Sequence, residues 1–331
     1  MADIEALLDA IEEPALLVSG HRLVGANRSA RQIFARRLVH NDIRLAIRHP
    51  AVLAAIETGD EATLEVEGIA GVDRPWRVTL TPLDGSTLLI RMIDRATARA
   101  AERMRVDFVA NASHELRTPL TTIRGYAETL ADDGAMDDAM RSKFAKIIES
   151  ESIRMLRIVE DLLDLSRIEA DRFVRPRDQV DLATILRETV DHNQALADRC
   201  ACSLSVEVAD NVGSIPGDAG QMKQVIDNLI ANAVRYGCTP EKPEVEISLS
   251  KAGRFARIRV RDRGEGIAPD HLPRLTERFY RADAARSRET GGTGLGLAIV
   301  KHIVERHRGI LDIASSPGSG TTVTVDLPLR G

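Results

Sequence analysis

Aromatic residues are scarce in this chain of 331 residues: one Trp, three Tyr and six Phe make up 3% of it. Any sizeable core must therefore come from Leu, Ile, Val and Ala, as helical bundles often do. Cysteine is rarer still. Cys200, Cys202 and Cys238 are an odd and small set for this length, which argues against a disulfide framework. Cys200-Ala201-Cys202 has no His or Cys partner at ligand spacing nearby, which argues against a metal site. No apolar run approaches the ~18 residues of a membrane span, and the acidic, amphipathic first fourteen residues do not read as a secretory signal. There is no basic excess either. Lys and Arg total 45 against 50 Asp and Glu, a net charge of −5, so a general nucleic-acid binder is not indicated. Walker-type phosphate loops, the Ser/Thr kinase signature set, internal repeats and low-complexity tracts are all missing.

What is present reads as a multidomain α+β chain in three segments. Residues 1–95 form a small α+β domain. Ala15–Val18 and Arg22–Val24 flank a turn at Ser19-Gly20, and a helical stretch covers Ser29–Leu38. Trp76–Leu83 and Thr87–Ile93 flank the hairpin signal Asp84-Gly85. Residues 96–172 carry two long helical patterns. Val109, Leu116, Ile123 and Leu130 recur every seven residues, beside a second line of Val106, Ser113, Leu120 and Ala127. A break at Ala131–Ala135 precedes Phe144, Ile148, Glu151, Met155, Ile158, Leu162 and Leu165. Leu156, Val159 and Leu163 lie off that line, so the helix needs cover on two sides. A dimeric four-helix bundle would supply it. Residues 176–331 alternate helices, near Leu182–Ala197, Gln221–Arg235 and Leu295–Arg306, with strands near Ser203–Val208, Glu244–Leu249, Ala256–Arg261, Ile310–Ala314 and Thr321–Leu327. This is the pattern of a layered α/β domain.

Chemistry concentrates in six short stretches. Ser113–Leu120 sets His114 on the first long helix. A neutral imidazole can attack phosphorus and titrates near neutrality, Thr118 lies one turn on, and Pro119 predicts a local bend. Asn228 and Asn232 share a helix face, and their amide oxygens suit Mg²⁺. Asp262 ends a strand before Arg263-Gly264-Glu265-Gly266, where it can accept from an exocyclic amine while the glycines let backbone approach a flat ring. Gly291–Leu297 brings glycines to a helix N-terminus, a phosphate-binding arrangement. Between the glycine elements, Glu277-Arg278-Phe279-Tyr280-Arg281 leads into a polar stretch to Thr290 that could serve as a lid, with arginines for phosphate charge. Gly318–Thr321 reads in part as a hairpin turn. Each stretch alone also fits a plain structural role; their joint occurrence in this order does not.

Together they resemble the sensor histidine kinases of two-component systems. Ser113–Leu120 matches the phosphoacceptor box and Asp227–Ala233 the asparagine box. Asp262–Gly266, Phe279 and Gly292–Gly296 match the remaining boxes of the ATP-binding fold shared with gyrase, heat-shock chaperones and mismatch-repair ATPases. The resemblance implies that His114 is phosphorylated from ATP, that Glu115 is its acid–base partner, and that Thr118 positions water for phosphatase action on a response regulator. It implies Mg²⁺ on Asn232, Asn228 near the phosphates, Tyr236 beside adenine, and Asp262 holding the adenine amino group. Gly264, Gly266, Phe279 and Thr321 would complete the nucleotide site, and Gly292, Gly294 and Gly296 would shape the lid and phosphate end. The implied partners are a receiver-domain response regulator and a second copy of the chain. The expected location is cytoplasmic, as a soluble protein or as the soluble part of a membrane-anchored kinase. The first segment resembles a PAS sensor domain, with Asp94-Arg95-Ala96-Thr97 one residue longer than the usual Asp-x-Thr, and the whole layout resembles phosphate-regulon-type sensors. Leu275-Thr276-Glu277 departs from the aromatic often found at its middle position. The chemistry also admits a serine kinase or ATPase on the same ATP fold, or a non-catalytic scaffold that keeps it.

Overall fold

Period-2 and period-3.6 patterns sort the chain into strands and helices that fall into two units, Met1–Val109 and Ala110–Gly331. The computed structural model describes residues 2–34, 39–69, 74–84, 86–132, 136–171, 174–210, 212–282 and 292–329.

In the first unit, α1 (Ala2–Asp9) precedes β1 (Ala15–Ser19), β2 (Arg22–Ala26), α2 (Arg28–Ile33), α3 (Pro50–Thr58), β3 (Ala62–Glu67), β4 (Pro75–Asp84) and β5 (Thr87–Asp94). The strands form one antiparallel sheet in the order β2-β1-β5-β4-β3. Trp76, Val78 and Leu80 alternate inward along β4, as Leu88, Ile90 and Met92 do along β5, onto a core that includes Ile43, Ile47, Val52 and Ile56. Asn27 is fully buried with its amide satisfied. Its oxygen accepts from Ala15 and Ala30 N–H, and its nitrogen donates to the Ile11 and Glu13 carbonyls. The expected first hairpin and both terminal strands are present. The expected helix to Leu38 ends at Ile33, and residues 35–38, like Gly85 of the second hairpin, lie outside the described residues.

Helix α4 (Ala96–Ala131) passes through Pro119 without interruption, and α5 (Asp138–Ala170) begins on an Asp137 cap that accepts from Met140 N–H. Tyr126 and Phe144 pack at 4.9 Å between ring centroids across the hairpin. Next come β6 (Asp178–Val180), α6 (Leu182–Arg199), β7 (Ser203–Val208), β8 (Ile215–Gly217), α7 (Ala219–Asn232) with a π-turn at Ala233–Gly237, β9 (Glu244–Ala252), β10 (Phe255–Asp262), α8 (Gly296–Arg306), β11 (Ile310–Ser316) and β12 (Gly320–Pro328). The main sheet runs β11-β12-β10-β9-β7, antiparallel except for β7 beside β9. It makes an α/β sandwich with α6, α7 and α8, whose apolar faces (Met222, Val225, Ile226, Leu229 and Ile230 on α7) are buried.

The cysteine count gave one expectation that needs correcting. Cys202 and Cys238 meet sulfur to sulfur, with Cα atoms 5.9 Å apart. Each stands just ahead of β7 or β9, whose parallel pairing sets Ser203 opposite Glu244 and so brings the two approaches together. Cys200 stays exposed and unpaired.

Candidate functional site

The stretch around His114 lies on α4 and mostly faces solvent. His114 is exposed on α4 and Glu115 half-buried beside it. Glu115 Oε2 accepts from Arg281 at 2.8 Å and lies 3.4 Å from Arg154, which also pairs with Glu151. Both arginine side chains are about nine-tenths buried, 8% and 11% exposed, so the contact is better screened from water than a surface ion pair. Thr118 returns its hydroxyl to the His114 carbonyl at 3.2 Å, one turn back.

The nucleotide-type elements converge on the sandwich. Asn228, on the partly exposed face of α7, donates its amide N–H to the Gln224 carbonyl. Its oxygen abuts α8, where a Cβ on Gly296 would stand 2.6 Å from it. Asn232, half-buried, starts the π-turn and makes no side-chain capping bond. Tyr236 follows within that π-turn, a helix distortion frequent at functional sites.

Asp262, the last residue of β10, is 9% exposed. Burial raises its carboxyl above the usual carboxylate range, against the lowering effect of the N–H groups of Gly264 and Thr321, which donate to Oδ1 at 3.0 and 3.1 Å. With both bonds on one oxygen, Oδ2 is left to an outside donor. The tightness of this corner explains its glycines. A side chain on Gly237 would collide with Asp262, and one on Gly264 would come 2.7 Å from Gly237 Cα. Gly266 (φ +73°) likewise leaves no room beside Ser316.

The remaining residues gather ahead of α8. Phe279, itself at φ 63°, donates its N–H to the Gly294 carbonyl at 2.8 Å, while Gly294 packs against Phe279 so closely that a Cβ would sit 2.9 Å from Phe279 Cα. Gly292 is half-buried just ahead. Most of the expected lid and Gly291 lie outside the described residues. The Gly318–Thr321 stretch is the β11–β12 turn, and it also braces Asp262 through Thr321.

The structure thus gathers Asn228 with Gly296, Asp262 with Gly264 and Thr321, and Phe279 with Gly294. His114 makes no hydrogen bond or ion pair with any of them; the connection runs through Glu115. Sequence reasoning missed Gly237, Arg154 and the acidic face of α5. There Asp161 accepts from the Thr293 hydroxyl at 2.7 Å, Asp164 accepts from Gln224, and Glu169 pairs with Arg278 and His302. Burial raises the Asp161 carboxyl, offset in part by the Thr293 bond. The three-residue spacing of Asp161 and Asp164 along α5 was the available signal. Among the described residues no cluster of three or more His, Cys, Asp or Glu could hold a metal. A metal brought in by phosphates fits better, since the Asn232 amide has no capping duty and glycines line the approach.

A phosphoacceptor-type helical hairpin carried on an ATP-binding sandwich defines a phosphotransferase class. Two family models match: "His Kinase A (phospho-acceptor) domain" over residues 104–171, from the last residues of the first unit through α4 and α5, and "Histidine kinase-, DNA gyrase B-, and HSP90-like ATPase" over residues 217–331 of the second unit. The chain is 36% identical over 286 residues to the sensor-like histidine kinase SenX3 of Mycolicibacterium smegmatis, covering 84% of this chain and 73% of that protein. It is 41% identical over 249 residues to the phosphate regulon sensor protein PhoR of Pseudomonas aeruginosa, covering 75% of this chain and 55% of that one. This chain belongs to the sensor histidine kinases and resembles the phosphate-regulon sensors among them. It spans only about half the length of several curated relatives it matches, 55% and 56% in two cases. Among solved structures, histidine kinase ThkA in complex with response regulator protein TrrA aligns over 98% of both chains at TM-score 0.54 and 17% identity. Acinetobacter baumannii histidine kinase AdeS aligns over 66% of this chain and 98% of that one at TM-score 0.51 and 23% identity. At these identities the likeness concerns the fold. Among the described residues no helix is long and apolar enough to cross a membrane.

Proposed function

We propose that the chain transfers the γ-phosphoryl group of Mg-ATP to His114, passes it to an aspartate of a response regulator's receiver domain, and also dephosphorylates that regulator. The Arg281–Glu115 ion pair carries the reading, since it ties the residue beside the acceptor histidine to the segment whose Phe279 is bonded to Gly294. A ring nitrogen of His114 attacks phosphorus in line, ADP leaves, and Glu115 takes the ring proton. Asp262 holds the adenine amino group, Tyr236 lies along the ring, and Asn228 and the Gly292–Gly296 turn meet the phosphates. Mg²⁺, held by Asn232 when bound, would neutralise phosphate charge.

Family membership supports a homodimer, as do the exposed Val106, Leu120, Leu156 and Leu163. The strand order of the first unit, together with α4 starting directly after β5, supports a PAS-like sensor spanning residues 1–95 that acts on the helices of 96–172 and, through them, on the ATP-binding domain of 176–331. A cytoplasmic site of action follows from the ATP and regulator chemistry.

The test is labelling with γ-labelled ATP and Mg²⁺. We expect acid-labile, base-stable label on the chain and none on His114→Gln. Label of equal stability on the variant would refute the assignment.

A further inference from the structure

Taking the sandwich as the nucleotide site just proposed, we infer that Cys202 and Cys238 form a reversible thiol–disulfide site that sets its nucleotide affinity. The Cα separation of 5.9 Å lies within the range a disulfide spans. Cys202 is 6% exposed, and its sulfur already faces Cys238. The placement gives the pair its leverage. Cys238 directly follows Gly237, the residue on which Asp262 rests, and ends the π-turn that carries Tyr236. Cys202 stands at the foot of β7, where Ser203 N–H and hydroxyl both donate to the Pro243 carbonyl, at 2.8 and 2.9 Å. A bond between them pins the wall behind Asp262 to the edge of the sheet across 36 residues of chain. As two thiols, the wall is released at that point, and the next backbone anchor is the isolated bridge Thr239–Lys242.

ATP is consumed mainly in compartments that keep thiols reduced, where cysteine pairs that do oxidise are commonly transient or sensing. A low-molecular-weight disulfide suffices as oxidant. The two thiols lose two electrons and two protons, the sulfur–sulfur bond forms, and the reagent's own bond is cleaved to two thiols. Because the pair is in reach while Asp262, Gly264 and Gly237 stand assembled, oxidation preorganises the pocket and reduction loosens it.

The experiment uses the full chain, treated with dithiothreitol or with oxidised glutathione. Thiols are counted by alkylation and mass spectrometry, and a non-hydrolysable ATP analogue is titrated by calorimetry. All three cysteines should alkylate after reduction; after oxidation Cys202 and Cys238 should be blocked by their mutual bond, with Cys200 alkylated or carrying glutathione. The oxidised chain should bind the analogue about fivefold tighter or more, the lower end of ordinary coupling between sites. Cys200→Ser should respond as the native chain does, and Cys202→Ser/Cys238→Ser should stay at the reduced affinity under both treatments. The inference is overturned if three thiols still alkylate after oxidation. It is equally overturned if the bond forms and shifts thermal stability but leaves the affinity unchanged. No binding in either state would refute the nucleotide site itself, and this inference with it.

Discussion

The sandwich closes its own apolar surface, and the helical hairpin does not. In the sandwich, Ile226, Ile230, Ile258, Ile299, Ile303, Val325 and Leu327 are fully buried by one chain. In the hairpin, Leu120, Ile153, Leu156 and Leu163 are 47–58% exposed. The difference is geometric. A sheet covered by helices saturates its inner face within a single fold. Two helices with a heptad seam bury one stripe against each other and present the next. On α5 two faces are visible side by side: Ile158, Leu165 and Ile168 are buried on the part of the helix that packs on α8 of the sandwich, while Leu156, Val159 and Leu163 face outward. Exposed stripes of this length call for a partner surface, and a second copy of the same hairpin is the cover the proposed function needs.

That contrast can be broken by matched truncations. Ile230→Ala in the sandwich should cost about 2–5 kcal/mol, the range for a fully buried aliphatic side chain. Leu163→Ala should cost a lone chain only about 0.5 kcal/mol, as a surface change does. Urea denaturation at a concentration where the chain is monomeric reads both. Leu163→Glu should lower the mass seen by light scattering to that of a monomer. Equal costs for the two alanine variants, or an unchanged mass for the glutamate, would erase the distinction drawn here.

Within the sandwich, Asp262 sets binding against stability. Burial holds its carboxyl above the usual range, so the ionised form is disfavoured in the folded state and lowers stability near neutral pH. Asp262→Asn keeps an oxygen for Gly264 and Thr321 and removes the charge. We expect an equal or higher melting temperature, together with nucleotide binding weakened about ten- to a hundredfold, the worth of a charge-assisted hydrogen bond. A variant that melts lower and binds normally would reverse the roles.

Legibility differed between the regions for physical reasons. The sandwich strands were read to within a few residues, because alternation such as Val245, Ile247 and Leu249 is a local signal. In the first unit α3 and β3 passed unread. In α3 the signals existed, Pro50 at the start and Gly59 at φ 71° after the end, but the helix is short and weakly patterned. In β3 the alternation was present, with Ala62, Leu64 and Val66 inward and Thr63, Glu65 and Glu67 exposed, but it spans only six residues. The site residues carry their signal in motif order. What the sequence hid is the set of contacts between distant segments. Arg281 with Glu115 and Thr293 with Asp161 are separated by 166 and 132 residues, and nothing local encodes such pairs. The cysteines illustrate the same limit, since only the parallel pairing of β7 with β9 brings them together.

The last expected effect concerns how two of the sandwich's helices, α7 and α8, are tied. His307 is 2% exposed at the end of α8. Its Nδ1 lies 2.7 Å from the Ile303 carbonyl, and its Nε2 accepts from Asp218 N–H, the cap of α7, at 3.1 Å. That network requires the neutral ring with its proton on Nδ1. Burial lowers the histidine below its ordinary value near 6.5, against the Ile303 bond, and burial likewise lowers His302 against the raising effect of Glu169. Below that value the unfolded chain therefore holds more protons than the folded one, so stability falls as pH drops and levels off above about 7. Each group contributes at most about 1.4 kcal/mol per pH unit. Urea midpoints taken from pH 5 to 8 should rise and then flatten. His307→Gln should lose about 1 kcal/mol at pH 7.5, where a donor on α7 loses its acceptor, and should show a shallower slope. If the slope survives in His302→Gln/His307→Gln, the acid sensitivity lies elsewhere, and the tie between α7 and α8 is not the part of the sandwich that proton binding loosens.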